Sequence, residues 1–207
     1  MKWIALGCGP GAIAAMQHAP PHDRLIVANR AIQWCEDGTV KATPGFAYLS
    51  DTEAARLYGR AARLLRDRHG TRLVTLHRDK RALVDRGIAD FDEFVEITNI
   101  GVPEHVRRGV FSDVSISGLI IAQYAILKGN ATELHLIGHE GYRSRPNIPE
   151  RDYADGGPIG ANKDGALITS QSIGPTFRAI VRTYPEVRFV FHGSLSYDVS
   201  GPNVSRA

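Results

Sequence analysis

The feature that most constrains the fold is a buried helix followed closely by a buried strand. Residues 119–127 are almost all apolar. Ser117 stands where it could cap the first turn, and Gly129 stands where a left-handed residue could end the helix. The strand from Leu134 to Ile137 is too short and too apolar to be an edge strand. Together the two elements predict half of a β-α-β unit.

The same kind of pattern extends along the whole chain, since apolar strands alternate with helices about six times. This alternation is the signature of a doubly wound parallel sheet. We therefore predict an α/β fold, a Rossmann-like three-layer α/β/α sandwich with a mostly parallel sheet of about six strands. A chain of 207 residues suits one such domain, expected over residues 1–192, with a polar C-terminal tail at 193–207.

Residues 144–168 interrupt this alternation with a stretch rich in glycine, proline and acidic residues. A loop of this length inside a compact domain is usually a lid, a binding loop or a disordered segment. We predict a lid over the functional site.

Composition limits the class of protein. Hydrophobic residues make up 43% of the chain and no run of eighteen apolar residues occurs, so no membrane span is expected. The N-terminus lacks a signal-peptide pattern, which favours a cytoplasmic protein. Cys8 and Cys35 do not lie at metal-finger spacing, and both are expected to be reduced thiols with no metal site. The net charge of +3 suits a phosphate-bearing ligand, whereas the arginines of residues 56–72 are expected to form a solvated helix face and not a nucleic-acid surface.

A glycine turn follows the first strand, and it consists of Gly7, Cys8, Gly9 and Pro10. Such a turn lets backbone N–H groups at a helix start approach a phosphate or carboxylate. The second strand ends at Asn29 and Arg30, where methyltransferases and NAD enzymes carry an acidic residue. An NADP enzyme fits better than these two, because Arg30 could contact a 2′-phosphate.

The residues after the strand that ends at Ile137 are the candidates for chemistry, because ligands of open α/β sheets bind outside the carboxyl ends of the strands. Transfer from a nucleotide-activated donor requires a base near the acceptor and cations or hydroxyls near the leaving phosphate. We assign the base role to His139, with Glu140 or Glu150 to orient or replace it, and the phosphate role to Tyr142, Arg143 and Arg145.

The motifs taken in order resemble two related families, the family 42 sialyltransferases and the 6-hydroxymethylpterin diphosphokinase-like proteins. They are a glycine turn near the N-terminus, Asn after the second strand, Ser-Gly opening an apolar helix, Gly at its end, and a strand followed by Gly-x-x-x-Tyr. The resemblance implies that Gly7, Gly9 and Asn29 lie along a nucleotide and that Ser117 and Gly118 contact its base or ribose. Tyr142 would face the departing phosphate.

The chain departs from the sialyltransferase pattern at three places. Cys8 replaces an asparagine between the glycines, Val114 replaces an arginine before Ser-Gly, and Gln171 stands near the position of the catalytic histidine. The resemblance therefore implies a retained nucleotide platform with different acid-base residues.

The leading hypothesis is a transferase that binds a nucleotide or a nucleotide-activated sugar and transfers the glycosyl group to an acceptor. The alternatives are a pterin-type diphosphokinase using ATP and Mg²⁺, and a nucleotide-binding protein without catalysis. An NADP-dependent reductase and a methyltransferase rank lower. The expected partner is a small molecule, and homo-oligomerisation is left open.

Overall fold

The computed structural model of the chain describes residues 1–76, 91–98, 103–112, 116–140 and 163–207, with only the helical backbone described over 163–172. Within these ranges five helices flank one eight-stranded sheet. The strands are β1 (Lys2–Leu6), β2 (Arg24–Ala28), β3 (Phe46–Tyr48), β4 (Arg72–Leu76), β5 (Glu93–Val95), β6 (Glu133–Ile137), β7 (Arg188–Phe191) and β8 (Val204–Arg206). The helices are α1 (Ala12–Gln17), α2 (Arg30–Glu36), α3 (Thr52–His69), α4 (Ser117–Leu127) and α5 (Lys163–Thr183).

The strand order is β5-β4-β3-β2-β1-β6-β7-β8, and every pairing is parallel. The chain begins in the middle of the sheet, builds outward to β5, and returns to the other side of β1 with β6. The point where the order reverses lies between β1 and β6, and such a switch point forms a crevice at the carboxyl ends of the strands. The predicted Rossmann-like α/β fold is confirmed, with eight strands in place of about six.

Two apolar cores fill the spaces above and below the sheet. One core joins α4 and α5 to the sheet through residues such as Ile121, Phe177 and Phe189. The other joins α1, α2 and α3 to the opposite face, with Ile32 and Leu65 fully or almost fully buried. Parallel sheets need cover on both faces, and these two layers supply it.

Helix α4 is buried over Leu119–Ile126, as its uniformly apolar sequence predicts. Its one strongly polar side chain, Gln123, is satisfied by the backbone of Ser112. The Gln123 Oε1 atom accepts a hydrogen bond of 2.8 Å from the Ser112 amide, and the Gln123 Nε2 atom donates to the Ser112 carbonyl at 2.9 Å. Burial of this amide therefore leaves no hydrogen-bond deficit.

The ends of α4 differ from the prediction. Ile116 occupies the N-cap position, and the Ser117 hydroxyl is directed to Asn29 instead of capping the helix. Asn130, with φ of +51°, takes the left-handed conformation expected for Gly129. Gly129 is required for another reason: a Cβ atom there would collide with the ring of Trp3, whose Nε1 donates to the Gly129 carbonyl at 3.1 Å.

Helix α3 begins and ends as its sequence indicates. The Asp51 carboxylate accepts a hydrogen bond of 2.8 Å from the Ala54 amide, and Gly70 ends the helix with φ of +70°. Arg56 pairs with Glu53 on the exposed face at 2.6 Å. The arginines at 56, 60, 63 and 68 are exposed, which is the solvated face that was predicted.

Two predicted segments need correction. Helix α5 already begins at Lys163, inside the expected lid of residues 144–168, while residues 144–162 lie outside the described ranges. The expected polar tail at 193–207 contains β8, which pairs with β7 through Phe189 and Val204. Its Val-Ser-Arg sequence has one apolar residue, so an edge strand with a single partner gives almost no sequence signal. None of the described helices is long and apolar enough to span a membrane.

Candidate functional site

The switch point between β1 and β6 brings the glycine turn against the residues that follow β6. The Gly7 amide donates to the Ile137 carbonyl at 2.8 Å, and the Gly9 amide donates to the Gly138 carbonyl at 2.9 Å. A Cβ atom on Gly7 would lie 2.5 Å from the Gly138 oxygen, and Gly138 itself has φ of +75°. The glycines therefore permit two loops to cross in direct backbone contact.

The Glu140 side chain enters the glycine turn from the β6 side. Its Oε1 atom accepts a hydrogen bond of 2.9 Å from the Gly11 amide, and the side chain is buried. Cβ atoms added to Gly9 or Gly11 would collide with its carboxylate, and one added to Gly193 would lie 3.2 Å from Oε1. A carboxylate of the chain itself thus accepts from a backbone N–H at the helix start, where the glycine turn predicts a ligand phosphate or carboxylate.

His139 is buried between β1 and helices α4 and α5. Its Nε2 atom lies 3.0 Å from the Ala5 carbonyl, which can only accept, so Nε2 carries the proton and Nδ1 is the unprotonated nitrogen. Nδ1 faces the start of α4, where a Cβ atom on Gly118 would lie 2.7 Å away. The ring also meets Phe177 edge-on at 5.8 Å between centroids.

Burial lowers the pKa of His139 to about 4. The imidazole is neutral at pH 7 and is a weak base. With one nitrogen bound to the backbone and the other enclosed by Gly118, the geometry favours an anchoring role for His139 over the base role assigned from the sequence.

The loop between β7 and β8 covers the His139–Glu140 segment. The Tyr197 hydroxyl donates to the His139 carbonyl at 2.6 Å, and the Ser196 amide donates to the Glu140 carbonyl at 2.7 Å. The Tyr197 ring stacks on Phe177 at 5.8 Å with an interplanar angle of 7°. Burial, together with the charge of Glu140, raises the pKa of Tyr197, which keeps its hydroxyl protonated as a donor.

Asn29 joins three elements on the other side of the glycine turn. Its Oδ1 accepts from the Ser50 amide at 3.1 Å, and its Nδ2 donates to the Ser50 hydroxyl at 3.2 Å and to the Ser117 hydroxyl at 2.9 Å. Asn29 has φ of +49° and ψ of −116°, a combination that costs a non-glycine residue free energy. Such strain is often found at ligand sites, where the surrounding contacts impose it.

The remaining predicted site residues lie along the same edge of the sheet. The Cys8 thiol donates to the Ala28 carbonyl at 3.2 Å. Pro10 is exposed and lies two residues before α1, so it is not the first residue of that helix, and Arg30 is the first residue of α2. Tyr142, Arg143, Arg145 and Glu150 lie outside the described residues.

The ten predicted site residues that the structure describes therefore all lie at the carboxyl edge of the sheet. Eight of them follow β1, β2 or β6, and Ser117 and Gly118 are the first residues of α4. Sequence reasoning missed Ser50 and Tyr197. Ser50 is a single hydroxyl in a loop, and Tyr197 lies in a polar segment without periodicity, so neither carries a local signal. Among the described residues, no group of three His, Cys, Asp or Glu side chains has the arrangement of a metal site.

No family model, no curated protein and no solved structure matches this chain. Fold and site together define its class: a Rossmann-like α/β protein whose candidate site lies at the switch point of a parallel sheet. The sialyltransferase and diphosphokinase resemblances remain predictions from short motifs.

Proposed function

We propose that the cleft at the β1–β6 switch point binds a nucleotide-activated sugar and that the protein transfers the glycosyl group to a small-molecule acceptor. The observation that carries this proposal is the hydrogen-bonded cluster of Asn29, Ser50 and Ser117 beside the glycine turn. Three elements contribute to it, and all of them end or begin at the edge where ligands of this fold class bind.

The cluster offers chemistry suited to the nucleoside part of a donor. It combines an amide with two hydroxyls, which can donate to and accept from ribose hydroxyls and base edges. The Ser50 hydroxyl also donates to Asp51 Oδ2 at 3.0 Å, so a carboxylate borders the cluster, but this carboxylate follows β3 and not the second strand, where NAD enzymes carry theirs. The backbone strain at Asn29 is held by the same hydrogen bonds, so the amide is oriented before a ligand arrives.

Glu140 limits where the donor phosphate can bind. Two like charges 4 Å apart near a protein surface repel by about 4 kcal/mol, which exceeds the roughly 1.5 to 3 kcal/mol of one hydrogen bond to a charged group. A phosphate and an ionised Glu140 therefore do not share the Gly11 amide. We place the phosphate on the α4 side of the turn, between Cys8 and Ser117.

The reacting end of the donor then lies toward the residues after β6. Tyr142 and Arg143 keep the role assigned from the sequence, stabilisation of charge on the leaving phosphate. Glu140 is held in place by Gly11 and by the glycine cradle, and it can orient a donor or acceptor hydroxyl by accepting its hydrogen bond. His139 acts by fixing the backbone from which Glu140 projects.

A ligand panel tests the proposal. Thermal unfolding would be followed with CMP, CDP, UDP, ATP with Mg²⁺, NADPH and S-adenosylmethionine, because a ligand at one hundred times its Kd stabilises the folded state by about 2.7 kcal/mol. We expect a pyrimidine nucleotide to give the largest stabilisation, and its sugar conjugates to release free nucleotide when incubated with the protein. Stabilisation by ATP with Mg²⁺ alone would favour the diphosphokinase, and stabilisation by NADPH or S-adenosylmethionine alone would contradict the proposal.

A further inference from the structure

Four polar side chains form a hydrogen-bonded row across the carboxyl edge of the sheet, from the start of α4 to the start of α3. This polar row consists of Ser117, Asn29, Ser50 and Asp51. Its last member, Asp51, is the N-cap residue of α3, and its Oδ2 atom lies 3.0 Å from the Ser50 hydroxyl. Asp51 is exposed and the other three residues are half-buried, so a ligand can reach the row from solvent.

The protons of the polar row have defined directions. The Ser50 amide can only donate, and it lies 3.1 Å from Asn29 Oδ1, so Asn29 Nδ2 must face the two hydroxyls. Both Nδ2 protons are then used, one at 2.9 Å from Ser117 and one at 3.2 Å from Ser50. Because the Ser50 hydroxyl accepts from Asn29, it gives its own proton to Asp51 Oδ2.

The two ends of the polar row are left with opposite hydrogen-bonding capacity. Ser117 accepts from Asn29, and no acceptor for its own proton lies among the residues that the structure describes, so this end can donate to a ligand. At the other end, Asp51 Oδ1 accepts from the Ala54 amide at 2.8 Å, and Oδ2 accepts from Ser50. Each carboxylate oxygen has two acceptor sites, so Oδ2 can take one further donor.

We propose that Asp51 determines specificity by binding the 2′ and 3′ hydroxyls of a ribonucleotide, and that the polarity of the row orients this nucleotide. The inference rests on the proposed function and names the ligand class of the same site. The donor end, Ser117, matches the phosphate oxygens, which can only accept. The acceptor end, Asp51, matches the ribose hydroxyls, which can donate, and the second lone pair of Asn29 Oδ1 can accept from the same diol.

The position of the row agrees with this orientation. The Cys8 thiol donates to the carbonyl of Ala28, the residue directly before Asn29, so the glycine turn borders the row. A phosphate between Cys8 and Ser117 therefore has the rest of the row beside it, in the direction of Asp51. Three hydrogen bonds of 2.9, 3.2 and 3.0 Å link Ser117 to Asp51, a separation comparable to that between the 5′-phosphate and the diol of one nucleotide.

The charge of Asp51 narrows the ligand class further. A phosphate on the 2′ hydroxyl, as in NADP, would place a second negative charge against this carboxylate and remove a donor. A deoxyribose would leave the carboxylate without its ligand partner. The ligand is therefore a ribonucleotide whose 2′ and 3′ hydroxyls are both unmodified.

Titration calorimetry tests the role of Asp51 with two probes, the ribonucleotide that stabilises the protein most and its 2′,3′-dideoxy analogue. We expect the wild type to bind the ribonucleotide about tenfold more tightly or better, because the analogue cannot make a hydrogen bond to a charged group. In Asp51→Asn we expect this preference to shrink to about threefold or less, with the affinity for the analogue changed less than about twofold. A preference that is absent in the wild type, or that persists in Asp51→Asn, would overturn the assignment.

Asp51→Asn separates ligand binding from helix capping. Asparagine caps helices about as well as aspartate, so the variant keeps an acceptor for the Ala54 amide and should unfold at nearly the wild-type urea concentration. Asp37→Asn is the matched control, because Asp37 is also exposed and accepts from the Thr39 amide at 2.9 Å, but lies at the far end of α2. Asp37→Asn should bind both probes as the wild type does. An equal loss of preference in the two variants would mean that surface charge, and not contact with the diol, sets the preference.

Ser117→Ala tests the orientation of the nucleotide. We expect it to weaken both probes equally, by about tenfold, and to change the affinity for the nucleoside without phosphate less than about twofold. A Ser117→Ala variant that loses the preference for the diol while it retains the contribution of the phosphate would overturn the orientation.

This inference and the proposed function fail in different ways. If the protein does not transfer sugars, its sugar conjugates release no nucleotide, while the preference for the diol and its dependence on Asp51 persist. If the Asp51 assignment is wrong, stabilisation by a nucleotide persists, while the two probes bind equally or the preference survives in Asp51→Asn. Absence of stabilisation by every nucleotide of the panel would overturn both.

Discussion

The Asn29 side-chain amide donates a hydrogen bond of 2.9 Å to the Ser117 hydroxyl across 88 positions of sequence. Asn29 follows β2, and Ser117 opens α4. The bond therefore links the half of the sheet that contains β1 to β5 to helix α4, which precedes β6 in the chain. Because the same amide also contacts Ser50, a change at Asn29 alters the polar surface of three elements together.

Two substitutions of Asn29 distinguish the effect of its strained backbone on stability from the effect of its side-chain amide on ligand binding. Asn29→Gly removes the amide but accepts φ of +49° without strain, whereas Asn29→Ala loses the amide and retains the strain. We expect both variants to weaken nucleotide binding by about tenfold, and Asn29→Ala alone to lose a further 1 kcal/mol or so of stability. Titration calorimetry and urea unfolding measure the two effects.

Asn130 provides the control for Asn29, because it has nearly the same φ but lies in the turn before β6, at the opposite edge of the sheet. Asn130→Gly should leave nucleotide affinity unchanged. Equal loss of affinity in Asn29→Gly and Asn130→Gly would mean that the amide of Asn29 has no specific part in binding.

The Glu140 carboxylate in the glycine turn predicts an energetic coupling between two positions. Among the residues that the structure describes, a Cβ atom on Gly11 would meet Glu140 alone, so Gly11→Ala should cost about 1 to 3 kcal/mol in the wild type. In a Glu140→Ala background the same change should cost much less, giving a coupling of about 1 kcal/mol or more in a double-mutant cycle.

Gly59 serves as the control for this cycle. It lies inside α3, and a Cβ atom there would have no neighbour within 4 Å in the described part of the chain. Gly59→Ala should therefore stabilise the protein by about 0.5 to 1 kcal/mol in either background. Additive effects of Gly11→Ala and Glu140→Ala would contradict the placement of the carboxylate.

Glu140→Gln should strengthen the binding of anionic nucleotides. The substitution keeps an oxygen that can accept from Gly11 but removes the negative charge beside the proposed phosphate position. We expect Kd for a nucleoside diphosphate to fall several-fold, with a smaller change for the uncharged nucleoside. An equal change for both ligands would show that the carboxylate exerts no electrostatic effect on the phosphate.

Stability should fall in mild acid because of His139. Its folded pKa of about 4 lies below the value of roughly 6.5 in an unfolded chain, so the unfolded state binds more protons between these limits. Stability present above pH 6.5 is lost as the pH falls toward 4, by about 2 kcal/mol at pH 5. His192, whose pKa is also lowered, acts in the same direction.

His139→Gln should reduce this loss between pH 7 and pH 5, as measured by urea unfolding, because glutamine does not titrate. Carboxylates with a lowered pKa, such as Glu133 and Glu186, contribute only below their usual range near pH 4.5 and so do not affect the comparison. An unchanged slope in His139→Gln, with His22→Asn as control, would mean that the buried imidazole does not resist protonation.

The two cysteines should differ in reactivity. Burial raises the pKa of Cys35 to about 12, so its thiol should not react with a disulfide reagent in the folded protein. Cys8 is partly exposed in the glycine turn and should react. We expect a bound nucleotide to slow the reaction of Cys8, and Cys35 to remain unreactive with or without nucleotide. Rapid labelling of Cys35, or a Cys8 reaction rate that nucleotide does not change, would count against the proposed site.

The sequence predicts the parts of the fold where a local residue pattern is compatible with a single structure. The apolar run of α4 can only be buried, and the Asp51 and Gly70 signals mark the ends of α3. The glycine turn after β1 indicates close backbone contact, and the topology brings it to Gly138 as a parallel sheet requires.

The missed features depend on contacts between distant residues. Gly129 is a glycine because of the Trp3 ring, and Glu140 fills the turn because β6 lies beside β1. The contact of 2.9 Å between the His135 and His192 rings depends on the pairing of β6 with β7. Tertiary contacts alone determine these roles, so no local pattern could have revealed them.

The most direct measurement is a crystal structure of the protein with the nucleotide that stabilises it most. The account predicts ligand density beside the glycine turn, with the nucleoside hydrogen-bonded to Asn29 or Ser117 and the phosphate on the α4 side of Cys8. Density for the nucleotide at any other surface, with the cleft between β1 and β6 unchanged, would contradict it.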